Sequence, residues 1–291
     1  MNIWLLRAAW IVLPVTTGAV VSDALESWSM ATRATAAVLL WVAWLMVLVA
    51  LLAPRPVGLT AARVGAPLAL VATLIAVATD RASVVASIAA LVVTTLCVAL
   101  VAAPSFSRAC AQGAAYGDEQ RFPLKVPPAL FLGVLPLAVL AVGAGIAGGP
   151  LLLADGSVVA GIVVLVLGWP LAAVLLRSLH LLSRRWAILV PAGFVIADPM
   201  TLSDPVLFVR EHIVGLGPAD PRIRPPAEAT DLRLGAAHGS LALLLDEDAD
   251  VYRRARGAAR GERTHLLFVA PVAAGDLLEL AAARRITVRH E

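Results

Sequence analysis

The chain has 291 residues, of which 60% are hydrophobic and only 15% charged, with a mean hydropathy of +0.88 and a formal net charge of +3. A soluble globular chain carries roughly 25% charged residues. Here the apolar excess lies in long runs, which excludes a single large water-soluble core and points to membrane spans. Residues 1–185 hold 11 basic and 6 acidic side chains, whereas residues 186–291 hold 12 and 14. The basic balance therefore belongs to the apolar part, where positive loops set orientation, and gives no reason to expect nucleic acid as a partner.

Six apolar stretches follow in order. Residues 3–21 form the first, with Arg7 near its start and Pro14 inside. Arg7 can snorkel to the inner surface, and a secretory signal peptide is the rival reading, although no clean small-x-small cleavage site follows. The polar segment 22–33 (SDALESWSMATR) suits an outer loop with Trp28 at the interface. Residues 34–53 make the second span, 64–79 the third and 82–103 the fourth. The loop PRPVGLTAAR carries Arg55 and Arg63, and Asp80-Arg81 is a charged turn. Residues 104–128 are the longest interruption, with Arg108, Arg121 and Lys125 against Asp118 and Glu119. The fifth span is expected over 129–147 with Pro136 inside, then an outer turn at GGPLLLADGS, then a sixth span from Gly156.

That last span ends in Arg177, His180, Arg184 and Arg185, which mark a cytoplasmic exit. With the N-terminus inside, the inner segments hold Arg7, Arg55, Arg63, Arg108, Arg121, Lys125, Arg177, Arg184 and Arg185, and the outer loops only Arg33 and Arg81. This bias puts both termini in the cytoplasm of a bacterial inner (plasma) membrane protein. Spans two to six read as free of Asp, Glu, Lys and Arg in their middles, so no ion pathway is legible. Pro14, Pro136 and Pro170 are tolerated where neighbouring helices re-satisfy the freed carbonyls. Gly156 with Ala160, and Gly168 with Ala172, are small residues four apart that permit close helix packing, within the bundle or in a homo-oligomer.

After the arginines the pattern changes. WAILV, Pro-Ala-Gly and FVIAD read as two strands joined by a tight turn. PVLFV, HIVGL, LRL, SLALLL and HLLFV are further strand material, and PADPRIRPPAEAT is a proline-rich loop. Residues 276–285 (DLLELAAARR) read as an amphipathic helix with Asp276 at its start and Arg284-Arg285 at its end, as the helix dipole favours. ITVRHE suits a final short strand. The fold class is thus an integral membrane α-helical bundle of six transmembrane helices (residues 1–183) followed by a small α+β, β-rich cytoplasmic domain (residues 184–291).

This order of a basic exit, Trp186, a strand, a tight turn, more strands and a late helix resembles membrane proteins with a pleckstrin-homology-like cytoplasmic domain. The overall style is similar to uncharacterised actinobacterial multi-span membrane proteins. The resemblance covers residues 184–291 in element order and implies a PH-like module; a strand after the helix departs from that pattern.

Few residues suggest chemistry. Cys97 lies in an apolar run and Cys110 in a basic loop, and two cysteines make no metal or disulfide framework. Asp246, Glu247, Asp248 and Asp250 could hold a divalent metal, and their spacing resembles the opening of a calcium loop, but Val251 stands where that loop needs glycine. The plainer reading is an acidic strand end or helix start. Arg253, Arg254, Arg256, Arg260 and Arg263 follow directly and suit anionic lipid headgroups, or a solvated helix or loop paired with the preceding acids. The histidines His180, His212, His238, His265 and His290 read as five unrelated residues, since none stands three or four from another. The sequence therefore leads first to a non-enzymatic scaffold or adaptor without a cofactor, whose β-rich module binds membrane lipids or another membrane or cytoplasmic protein. The alternatives are a transporter or lipid-handling subunit with a regulatory domain, and a membrane enzyme built on Asp246, Asp248 and Asp250.

Overall fold

The computed structural model describes residues 3–131, 133–255 and 259–289. The chain divides into two compact units, Met1–Cys110 with Leu135–His180, and Ala111–Val134 with Leu181–Glu291. Its helices are α1 (Ile3–Ala24), α2 (Met30–Leu52), α3 (Pro56–Val77), α4 (Val84–Ala102), α5 (Pro104–Gln112), the single turn α6 (Pro128–Phe131), α7 (Val134–Ala154), α8 (Val158–Leu182) and α9 (Ala274–Ala283).

Six of these, α1 to α4 with α7 and α8, are long and apolar enough to cross a membrane. At about 1.5 Å per residue the shortest still reaches the roughly 30 Å of a hydrocarbon core. Their starts follow local chemistry. Ser29 accepts from the Thr32 N–H and Ser83 from the Ala86 N–H, each at 3.2 Å, and so caps α2 and α4. Pro56 opens α3, where its missing N–H costs nothing.

That proline explains one departure from the sequence expectation. The third span begins at Pro56 and not near residue 64, so Arg63 lies inside a helix and not in a loop. The fifth is α7, later than 129–147: Pro136 sits in its first turn, and Gly148, Gly149 and Pro150 continue the helix where an outer turn was expected. Close packing lets it continue, since a Cβ at Gly149 would meet Leu165 of α8 at 2.7 Å.

The small residues need a correction too. Gly145 of α7 and Gly168 of α8 face each other so closely that a Cβ on either would meet the other's carbonyl oxygen at 2.7–2.8 Å, and Ala172 is buried. Gly156 instead makes the turn before α8 at φ +90° with open space around it, and Ala160 is exposed. Of the two expected pairs, only Gly168 and Ala172 pack.

The second unit has two four-stranded sheets. The first runs β1 (Gln120–Pro123), β2 (Trp186–Val190), β3 (Gly193–Ala197), β4 (Val206–Val209), all antiparallel. Gly193 follows the β2–β3 turn, where a Cβ would collide with the Phe208 carbonyl. The remaining strands are β5 (Ile213–Pro218), β6 (Thr230–Asp231), β7 (Leu241–Arg254) and β8 (Ala259–Val269), in spatial order β5-β7-β8-β6 with β6 parallel to β8. Val288 bridges Leu216 beyond α9, giving the short pairing expected of ITVRHE. LRL is not a strand: the pairing stops at Asp231, and Leu234 turns the chain at φ +53°.

Both sheets and α9 share one core, in which Phe122, Leu189, Phe194, Leu216, Leu267 and Leu277 are fully buried. Phe122 comes from the segment between the fourth and fifth spans, so this unit is not the continuous 184–291 of the sequence reading. Arg185 is the second surprise. Counted as an exit charge, it is 2% exposed. It grips Asp198 through Nε and Nη2 at 2.9 and 2.8 Å, and donates to the carbonyls of Lys125 at 2.8 Å and Leu232 at 3.2 Å. Asp198 also accepts from the Thr201 hydroxyl and the Met200 N–H. The pair joins the segments after β1, before β2, after β3 and after β6.

Candidate functional site

The β7–β8 hairpin holds most of the residues singled out in the sequence. Its inner half is core: Leu241, Leu243, Leu245, Leu267 and Val269 are buried. Its register then breaks. Leu244 pairs with Leu266 and the next pair is Ala249 with Thr264, so β7 carries three more residues than β8 across the gap. Asp246, Glu247 and Asp248 occupy this bulge and are exposed. A bulge leaves extra residues off the ladder and turns them outward, so three consecutive acids sit within a strand without being buried.

The acids do not converge. Asp246 meets His212 at 3.2 Å, Asp248 meets His265 at 3.3 Å, and Asp250 meets Arg263 at 3.7 Å. These three aspartates each have their own cationic or basic neighbour, and no group of three or more His, Cys, Asp or Glu among the described residues could hold a metal ion. The two histidine pairings were not legible. His212 reaches Asp246 from the segment before β5, and His265 reaches Asp248 across the hairpin; neither falls at a local spacing.

Beyond the bulge the hairpin extends as a mostly exposed arm in which, among the described residues, only Val251 and Thr264 are buried. One edge is held by backbone bonds, Ser203 N–H to the Tyr252 carbonyl and Arg254 N–H to the Thr201 carbonyl. Arg253, Arg254, Arg260 and Arg263 thus stand on paired strands and not in a helix or loop. Arg256 lies outside the described residues. Because side chains alternate along a strand, the run divides. Arg253 and Arg260 stand directly opposite each other on one face, with Glu262. Arg254 and Arg263 share the other with Tyr252, which is half-exposed and lies over Gly261. Like charges directly opposite in a sheet are destabilising. Arg253 is partly compensated by Glu262 at 3.7 Å and by the Asp231 carbonyl at 3.5 Å. Arg254 and Arg260 have no carboxylate within ion-pair distance among the described residues.

Asp231 and Arg233 brace the base of the arm. Arg233 donates to both Asp231 oxygens at 2.9 Å, its own N–H adds a third bond, and its guanidinium lies 5.0 Å from the Phe268 ring. Partial burial pushes the Asp231 carboxyl up, but these bonds and the charges of Arg233 and Arg253 outweigh it and hold the group below the usual carboxylate range. Elsewhere in the unit an open cleft of about 490 Å³ is lined by Asp118, Gln120, Pro191, Arg210, Arg284 and Arg285. Arg284 is committed there to the carbonyls of Leu189 and Asp118.

No protein-family model matches the chain, and neither a curated protein nor a solved structure does.

Proposed function

We propose that the chain is a non-enzymatic adaptor of a bacterial cytoplasmic membrane. Its six apolar helices cross the bilayer with both termini in the cytoplasm, and its second unit is a PH-like module that docks on an anionic surface. The excess of arginine at one set of helix ends supports the orientation. Two four-stranded sheets closed by a late helix support the PH-like reading.

The observation that carries the function is the arm of β7 and β8. It projects Tyr252, Arg254 and Arg263 on one face and opposes Arg253 to Arg260 on the other. A sheet that keeps opposed like charges gives up stability there, and an anionic partner would return it. Tyrosine beside arginine suits the boundary between headgroups and acyl chains. Asp246 and Asp248 of the bulge are engaged with His212 and His265, and the proposal gives the acids no catalytic role.

The test uses the full chain in neutral nanodiscs and its co-flotation with separate vesicles. Binding is expected to vesicles containing phosphatidylglycerol and not to neutral ones. It is expected to weaken as salt rises, since the screening length falls from about 10 Å at 0.1 M to about 3 Å at 1 M. Arg254→Ala with Arg260→Ala should reduce it several-fold. Equal binding to neutral vesicles would refute the reading.

A further inference from the structure

We propose that Arg63 holds a phosphate group, carried by a phospholipid, at the arginine-rich end of the helix bundle. The inference rests on the reading that the six helices cross a bilayer.

Arg63 is the eighth residue of α3, about 10 Å along the helix from Pro56. It is partly buried, and its Nη2 donates to the Ser107 hydroxyl of α5 at 2.7 Å. A guanidinium carries five N–H donors, and no other hydrogen bond and no carboxylate within ion-pair distance serves Arg63 among the described residues. Arg7, in α1, is different. Its Nε and Nη2 close the end of α2 by donating to the Leu51 and Leu52 carbonyls, both at 3.0 Å, and its guanidinium lies 4.6 Å from the Trp4 ring. Arg7 is satisfied by protein; Arg63 largely is not.

The charge pattern of the first unit removes the obvious partner. Its acids are Asp23, Glu26, Asp80 and Asp155. Asp23 lies in the last turn of α1, and the others lie in the turns joining α1 to α2, α3 to α4 and α7 to α8. Those are the ends away from the α2–α3 turn. Arg7, Arg55, Arg63, Arg108 and Arg177 lie towards the other end, with no acid of the same unit among them. An ionised side chain within a span demands a partner, and the abundant anion that a long arginine side chain can reach from near a span's end is the lipid phosphate. Its oxygens match the planar fork of arginine, which binds phosphate bidentately.

The surroundings are polar where the rest of the bundle is not. Thr60 stands one turn before Arg63 on the same helical face. Its hydroxyl donates to the Pro56 carbonyl at 3.1 Å and is hydrogen-bonded with His180 Nδ1 of α8 at 3.0 Å. Three helices therefore bring Thr60, Arg63, Ser107 and His180 towards one end of an otherwise hydrocarbon bundle.

The experiment takes the full chain from membranes after showing that it resists carbonate extraction, so that a failure to bind lipid is separate from a failure to insert. Native mass spectrometry in a neutral detergent then counts retained phospholipid. Wild type and Arg55→Gln, an exposed arginine towards the same end, are expected to retain it equally. Arg63→Gln should lower the retaining fraction at least tenfold, and Arg63→Lys several-fold. Equal retention by wild type and Arg63→Gln would overturn the proposal. Should Arg63→Gln fail to fold, wild type alone decides. After delipidation, phosphatidylglycerol is expected to raise the Tm, and diacylglycerol or inorganic phosphate is not. A full shift from diacylglycerol would overturn phosphate recognition, and one from inorganic phosphate would overturn the lipid as its source.

Discussion

Trp10 and Trp44 bond each other's backbone: the Trp10 indole donates to the Trp44 carbonyl at 3.0 Å, and the Trp44 indole donates back to the Trp10 carbonyl at 2.8 Å. The exchange ties α1 to α2 at a level where little else is polar, and Trp41 stacks edge-on against Trp44 at 5.4 Å. Interhelical hydrogen bonds of this kind contribute about 0.6 kcal/mol each. Trp10→Phe and Trp44→Phe should each lower stability by that order while keeping the ring. The double variant should depart from the sum, because both bonds hold the same two residues together. Unfolding of the purified chain by a denaturing detergent measures this, and wild-type curves for both single variants would refute it.

The Arg185–Asp198 pair should be the most sensitive point of the second unit. Removing one partner of a buried ion pair costs about 3–5 kcal/mol, because the other charge stays buried. Arg185→Met is expected to lose that much, and Arg185→Met with Asp198→Leu to recover part of it. Thermal unfolding followed by near-ultraviolet circular dichroism separates the two.

Cys110 is fully buried. Burial pushes its thiol up to about 12, with Arg63 only partly offsetting the shift. Maleimide should therefore leave Cys110 unlabelled at neutral pH on either side of the membrane, and react once the chain is denatured. Orientation is better read from a cysteine at Tyr116, which is 86% exposed. Tyr116→Cys should label only after cells are permeabilised, and Arg81→Cys in intact cells. The reverse pattern would invert the proposed topology.

Asp231 gives a pH dependence of known sign. Its carboxyl lies below its ordinary value in the folded chain, so the associated stability is present above that ordinary value and is lost as pH falls through the lowered one. Asp231→Asn should be less stable than wild type at neutral pH. The two should converge at the acid end, when wild-type Asp231 is protonated. Acid titrations of both proteins provide the comparison.

Much of the architecture was readable because its signals are local. Composition and length revealed six apolar helices. Two short apolar runs around a tight Pro-Ala-Gly turn revealed β2 and β3, and period 3.6 with a favourable dipole revealed α9. What escaped depends on partners far along the chain. β1 has four residues, and Phe122 becomes core only through pairing with β2. Counting Arg185 as an exit charge and Arg63 as a loop charge hid the one inside a fold and the other inside a helix. The acidic and basic runs were visible as runs, but the bulge that frees Asp246 and Asp248 to meet His212 and His265, and the alternation that parts Arg253 from Arg254, required the register.

The origin of β1 also imposes an order on synthesis. Pro123 emerges from the ribosome with α6, α7 and α8 still unmade, and its partner Trp186 follows only after all three. Until then the first strand has no ladder to join, and Phe122 has no core to enter. Closing so long a loop is slow and entropically costly. The last helical hairpin is thus complete before the strand can find its place. A closed second unit would then certify that all the preceding helices had been made, and a chain stalled at α7 would leave Phe122 outside its core for quality control to recognise.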